Sequence, residues 1–255
     1  MGKLIAINIS RERGTEKKQI PKVRLIRNYG LDGDAHAGRW HRQVSLLSAD
    51  KIEAFNKRGA NVIPGAFGEN LVVEGFDFRA LPVGTLLRCG DVLLEMTQIG
   101  KECHSHCEIY KKMGECIMPR EGVFARVIEP GSISVGDEMS IEKREGHFPW
   151  QAAVITLSDK AAAGERKDES GPAIAKRLRE ASYEVVEEIV IPDDELVLKQ
   201  QLIRLCDQRQ LDLILTTGGT GCSARDITPE ATIAIADKNV PGIAEAMVPH
   251  GLGNA

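Results

Sequence analysis

The chain has 255 residues, 33 basic against 37 acidic side chains, a formal charge of -4 and a hydrophobic fraction of 42%. That length suits two ordinary domains, each able to bury a core. The acidic balance excludes a general nucleic-acid binder, which needs a basic face to displace counterions; with no apolar run long enough for a bilayer or a signal peptide, the expected setting is cytoplasmic, without membrane partners.

The first half alternates and turns. Strands are expected at 3–9, 44–47, 70–73, 85–88, 92–98, 122–128 and 139–142, most of them bounded by Gly, Pro or Asp. Cys89, Gly90 and Asp91 form a tight hairpin connection between two of them. One helix, 49–57, takes Ser48 as its N-cap, puts Ile52 and Phe55 on one face and stops at Gly59. Many short strands with few helices predict a mostly-β barrel over residues 1–143. The polar stretch 144–150 reads as a linker.

From 151 to 255 the pattern changes to strand, helix, strand, helix, strand. Strands fall at 152–157, 184–191 and 211–215. One helix has Ser170 as its cap and Ile174, Leu178 and Ala181 on a stripe; the next carries Leu198, Leu202 and Leu205. This alternation predicts a three-layer α/β domain with a mainly parallel sheet and right-handed crossovers. Three loops then share one sheet edge: Ser158-Asp159 with the DESGP stretch, Pro192-Asp193-Asp194, and TTGGTG with RDITPEA. Glycine-rich loops at strand ends present backbone N–H groups to phosphate. Here there is no Walker lysine, and GGTG is not the dinucleotide spacing. The cation must come from elsewhere, and Asp226 and Glu230 are carboxylates suited to Mg²⁺ against phosphate oxygens. Helix capping is the competing role for Asp168, Ser170 and Asp193.

Six cysteines in such a chain are thiols, ligands or small buried side chains rather than disulfides. Cys206 and Cys222 are expected to be structural and buried. Cys89, Cys103, Cys107 and Cys116 lie close together in sequence, and CHSHC lacks the paired spacing of common zinc fingers. A reactive thiol is the alternative, since Lys101, His104 and His106 would favour a thiolate at Cys103, the form that attacks sulfur or binds a soft metal. Buried thiols in a barrel wall remain the plainer reading.

The segments ITLSDKAAAGERKDESGP, IPDDE, LTTGGTG, ARDITPEAT and PGIAEAM, in order from Ala152 to Met247, resemble the molybdopterin-binding domain of molybdopterin adenylyltransferases. That resemblance implies transfer of AMP from ATP to the phosphate of molybdopterin with Mg²⁺. It places Asp193 and Asp226 at the two catalytic acidic positions. Phosphate contacts fall on Gly218, Gly219, Thr220 and Gly221, and Ser158, Asp159, Asp168, Ser170 and Glu230 line the ligand. Family members continue well past PGIAEAM, so the domain is expected to be shortened, with a mobile tail from about Pro249 or a homo-oligomer covering the sheet.

GLDGDAHAGRWHRQVSLLS, PGAFGENLVVEG, LPVGTLLRCGDVLLEMTQIGKEC and GVFARVIEPGSISVGD resemble the MOSC domain, a β-barrel associated with sulfur transfer to molybdenum cofactor or with its binding. The family's functional cysteine falls on Cys103, and His36, Arg39, Arg42 and Asn70 sit in its motif-bearing loops, where arginines suit an anionic pterin phosphate. Surface pairing with Asp32 or Asp34 is the plainer role for those arginines. The resemblance implies a cysteine desulfurase as sulfur donor and a molybdoenzyme as acceptor. Together the halves read as a bifunctional molybdenum-cofactor protein, with a non-catalytic carrier and a zinc-stabilised barrel as alternatives.

Overall fold

A computed structural model of the chain describes residues 1–101, 108–143, 149–243 and 245. The backbone divides into two compact units, 1–147 with 207–210 and 148–206 with 211–255; of the expected linker, 144–148 lie outside the described residues.

The first unit contains β1 (Gly2–Ile9), β2 (Lys18–Ile20), β3 (Lys22–Ile26), β4 (Gly30–Leu31), β5 (Val44–Ser48), α1 (Ala49–Asn56), β6 (Leu71–Glu74), β7 (Leu86–Cys89), β8 (Val92–Ile99), α2 (Glu108–Met113), α3 (Met118–Glu121), β9 (Val123–Glu129), β10 (Gly131–Ser134) and β11 (Glu138–Glu142). Seven of these strands close on themselves in the order β1, β6, β5, β9, β8, β7, β11, and β11 pairs back onto β1 through Gly2 and Met139. Closure leaves no bare edge within the ring. All its pairings are antiparallel except β5 with β6, where Leu46 faces Leu71 and Ser48 faces Val73.

Alternation decides which side chains fill the ring. Leu46, Leu71, Val73, Leu94, Met96, Ala125 and Val127 share one buried cluster, and each large member removes apolar area worth about 1.5–3 kcal/mol from water. A register shift between Leu4 and Ala6 lets Leu4 and Ile7 point inward while Ala6 joins a second cluster on the outer wall. That cluster holds Leu47 and Val72 under Ile52 and Phe55 of α1 and Met118 of α3. A small sheet in the order β10, β3, β4 adds Val23, Leu25, Leu31 and Ile133 to the ring's own core.

The second unit contains β12 (Gln151–Leu157), α4 (Asp159–Ala162), α5 (Ser170–Glu180), β13 (Glu184–Ile191), α6 (Glu195–Ile203), β14 (Leu213–Thr217) and α7 (Thr228–Ile233). Its sheet runs β13, β12, β14, all parallel, with the first-made strand at the centre. The α/β expectation holds. Ala152 and Val154 of β12 pack against Ala175 and Leu178 of α5 on one face. Ala153 and Ile155 meet Leu198, Leu202 and Ala231 on the other. That two-sided burial explains why β12 reads as a continuous apolar run.

Several local expectations need correction. Ser48 stands at the N-cap position of α1, but its hydroxyl makes no capping bond and lies buried without a partner among the described residues. Ser170 is the first residue of α5 rather than its cap. Cys206 and Cys222, expected to be buried, are exposed. Pro249 lies outside the described residues.

Candidate functional site

The three expected loops of the second unit converge at the carboxyl ends of its parallel strands. Ser158 leaves β12 with its amide bonded to Ile191 O of β13 at 2.9 Å. The next residue is locked to the β13 loop by a reciprocal pair: the Asp159 amide donates to Asp193 Oδ2 and the Asp193 amide to Asp159 Oδ1, both at 3.1 Å. The β14 loop closes the third side. Gly218 has φ +87, and an added Cβ would stand 2.2 Å from Leu157 O; Gly219 has φ +60, with the Thr228 hydroxyl 2.6 Å from the same point. Side chains are excluded at both positions. Thr228 then fastens this turn, its hydroxyl donating to Gly218 O at 2.9 Å and its amide to Gly219 O at 3.0 Å.

The carboxylates separate into two groups. Asp168 is a helix cap: its Oδ1 accepts the Ser170 and Gly171 amides at 3.0 and 3.2 Å, and its Oδ2 accepts the Thr156 hydroxyl at 2.8 Å. Ser158 caps α4 through the Ala161 amide, and Asp194 caps α6 through the Val197 amide. Asp159, Asp193 and Asp226 instead serve loops. Asp226 Oδ2 accepts the Ser223 amide at 2.8 Å. Hydrogen bonds from the Ser223 hydroxyl, and then from its amide, hold the Asp226 carboxyl below the ordinary aspartate value, so it is an anion at neutral pH. Thr220, Gly221 and Glu230 are exposed, Glu230 in the first turn of α7. Arg225, which the sequence reading did not single out, ion-pairs with Asp159. The signal lay in plain view, an arginine directly before the aspartate of RDITPEA.

Among the described residues no three His, Cys, Asp or Glu side chains gather for a metal ion. Magnesium asks less of a protein, commonly one or two carboxylates with water and substrate phosphate completing its shell. The donors here fit that pattern, since Asp193 Oδ1 accepts no hydrogen bond from the described residues and faces Gly219, while Asp226 stays ionised.

In the barrel unit the motif-bearing loops build a buried polar network. Lys17 Nζ meets Asp34 Oδ2 at 2.5 Å, and both side chains are 2% exposed. Asp34 Oδ1 accepts the His36 amide at 2.8 Å and lies 3.3 Å from His36 Nδ1. The Asn70 amide group reaches Asp34 Oδ2 at 2.5 Å and Asn8 O at 3.1 Å, while its Oδ1 accepts from the Ser45 amide and hydroxyl. Asn70 is thereby committed to holding the loops. Burial raises the Asp34 carboxyl, but bonds from Lys17 and the His36 amide, the Lys17 charge and Asn70 together bring it below the ordinary value. The Arg42 guanidinium lies 4.6 Å from the Trp40 ring centroid and 5.6 Å from that of Phe124, and Arg39 is exposed. Cys103 and Cys107, with the histidines between them, lie outside the described residues.

A closed seven-stranded barrel and a three-layer α/β unit with a glycine turn among aspartates define the chain as a two-module protein. The model of the MOSC domain matches residues 33–140, and that of a probable molybdopterin binding domain matches 153–252. Residues 33–140 are thus similar to the MOSC domain, and residues 153–252 to the molybdopterin-binding domain family. It is 40% identical over 97 residues to molybdopterin adenylyltransferase of Escherichia coli K12, a match covering 37% of this chain and 49% of the relative. The enzyme of that name from Pyrococcus furiosus is 41% identical over 100 residues, covering 38% of this chain and 57% of the relative. A solved structure of a molybdopterin biosynthesis enzyme from a Thermus species is 43% identical, covering 38% of this chain and 62% of that one, with a TM-score of 0.37. The chain spans about half the length of the curated relatives it matches. No helix among the described residues is long and apolar enough to cross a membrane.

Proposed function

We propose that the protein acts in molybdenum cofactor biosynthesis, its second domain transferring AMP from ATP to the phosphate of molybdopterin and its barrel handling the cofactor or its sulfur. The observation that carries this reading is the convergence of Asp159, Asp193 and the Gly218–Gly219 turn at one sheet edge, within the segment similar to molybdopterin adenylyltransferases. In the transfer the pterin phosphate oxygen bonds to the α-phosphorus of ATP and the bond to pyrophosphate breaks. No protein nucleophile is needed, because positioning and charge neutralisation carry such reactions. The amides of the glycine turn orient phosphate oxygens. Asp193 and Asp226 would hold a magnesium ion, which when bound supplies positive charge to the phosphates.

The test is incorporation of label from α-labelled ATP into molybdopterin. The unmodified chain should form the adenylylated pterin and pyrophosphate, and Asp226→Asn should lower turnover by about 100-fold while pterin binding stays within about threefold. No AMP transfer by the unmodified chain would remove the enzymatic reading. A carrier that binds without turnover draws support from the structural duty of Asp226 as anchor of the Ser223 turn; pterin retention without AMP transfer is its signature.

For the barrel, Cys103 is the proposed working thiol, and Lys101 precedes it by two residues. Timed iodoacetamide labelling near neutral pH should modify Cys103 ahead of Cys222, an exposed thiol that serves as reference. Cys89 should stay unlabelled in the folded protein, since burial, and then the charge of Asp137, push its thiol up to about 11. First labelling at Cys107 or Cys116 would reverse the assignment.

A further inference from the structure

Arg225 holds an unusual place in the second domain. Its guanidinium lies on Asp159 Oδ2, while Asp159 Oδ1 is occupied by the Asp193 amide. The residue following it, Asp226, is fixed by the Ser223 turn, and the Arg225 amide itself lies 3.3 Å from Ser223 Oγ. The backbone beneath Arg225 is thus anchored, and swinging the side chain needs no loop movement. The pair is well exposed, 64% for Arg225 and 46% for Asp159, so solvent screens it and the contact exchanges readily. A guanidinium also offers forked donors to phosphate as well as to carboxylate.

We propose that Arg225 is an exchangeable counter-ion, seated on Asp159 until an anionic phosphate draws it away and leaves that carboxylate to a divalent cation. The inference rests on the phosphate-handling reading above and adds a named residue and an order of events. It makes Arg225 a phosphate-contacting residue and Asp159 a conditional metal ligand. Phosphate and divalent cation then help each other to bind, and linkage requires the help to be mutual.

The test uses the full chain, Mn²⁺ titrations followed by water-proton relaxation, and inorganic phosphate binding followed by phosphorus resonance. In the unmodified protein, saturating phosphate should tighten Mn²⁺ binding. In Arg225→Ala, Mn²⁺ alone should bind about fivefold more tightly, phosphate should bind more weakly, and the coupling should vanish. Adding Asp159→Asn to that variant should cancel the Mn²⁺ gain, an outcome a merely structural arginine does not produce. Arg225→Lys keeps the charge and should keep Mn²⁺ affinity near that of the unmodified chain, which covers any folding defect of the alanine variant. Mn²⁺ and phosphate affinities unchanged in Arg225→Ala, with AMP transfer intact in the unmodified chain, would overturn the inference alone. An unmodified chain that binds neither probe and transfers no AMP would overturn the functional reading beneath it.

Discussion

Asp34→Asn should cost the barrel about 3–5 kcal/mol, the size of effect expected when one partner of a buried ion pair is removed. The Lys17 ammonium would be left with a neutral amide at 2% exposure, and the new NH₂ group would face donors from Asn70 and His36. The double variant Lys17→Met with Asp34→Asn should recover a large share of that loss, because neither charge of the pair then remains to be desolvated. Urea unfolding of the four proteins of this cycle measures the coupling directly. The pH dependence has a definite sign. A carboxyl held below its ordinary value stabilises the fold fully above that value, and the contribution disappears as pH falls through the lower folded value. The unmodified protein should therefore lose this stability on acidification, whereas Asp34→Asn should show no such component. Equal urea midpoints for the unmodified chain and Asp34→Asn at pH 7 would show that the pair is energetically idle.

Gly218→Ala should be the most damaging single-methyl change in the second domain. The added carbon meets Leu157 O at 2.2 Å and Leu157 C at 3.2 Å, both backbone atoms that no rotamer change can move aside. The left-handed backbone, φ +87, adds its own strain. We expect a loss of about 2 kcal/mol or more in stability and, under the proposed function, disappearance of AMP transfer, because the turn assigned there to phosphate must shift. Gly164→Ala is the control. Its φ is +75 but nothing lies within 4 Å of the new carbon, so it should cost only about 1 kcal/mol. Similar losses in the two variants would mean that conformation, not the contact with Leu157, limits the site.

Strands with a clear apolar face were legible in the sequence. Val92–Ile99 and Gln151–Leu157 combine β-branched or large apolar residues with turn residues at their ends, and both form. The short strands Lys18–Ile20 and Gly131–Ser134 were not legible, because KQI and GSIS hold too few apolar residues to show a period, and Pro21 reads as a break. Their pairing comes from partners distant in sequence, such as Ile133 opposite Val23. The parallel pair β5 and β6 escaped for the same reason. In the site, the resemblance to molybdopterin adenylyltransferases put forward Asp193 and Asp226 as candidates but was silent on who holds whom. The capping duty of Asp168 depends on Thr156, twelve residues earlier on a neighbouring strand end. Asp34 with Lys17 and Asn70 is a contact among three separate loops, which no local pattern contains. Cys206 and Cys222 misled because small thiols are more often buried, yet here the exposed positions of a helix end and a loop hold them.

Ring closure through Gly2 and Met139 has a consequence for synthesis. As the unit is made, β1 receives β6 on one edge and β2 along Ile7–Ile9 of the other, but the Gly2–Lys3 end of that second edge must wait until Glu138 and Met139 are made. During that interval the nascent unit is an open sheet, with the outer edge of β7 and the Gly2–Lys3 end of β1 both available to pair with other chains. A chain halted between Ser134 and Glu138 therefore carries nearly every core residue of the barrel and still has two adhesive edges. Among the described strands of the second domain the order of synthesis is the reverse, the central strand being made first and each later one adding beside it. Translational pauses are thus tolerable after Glu142 and hazardous just before it.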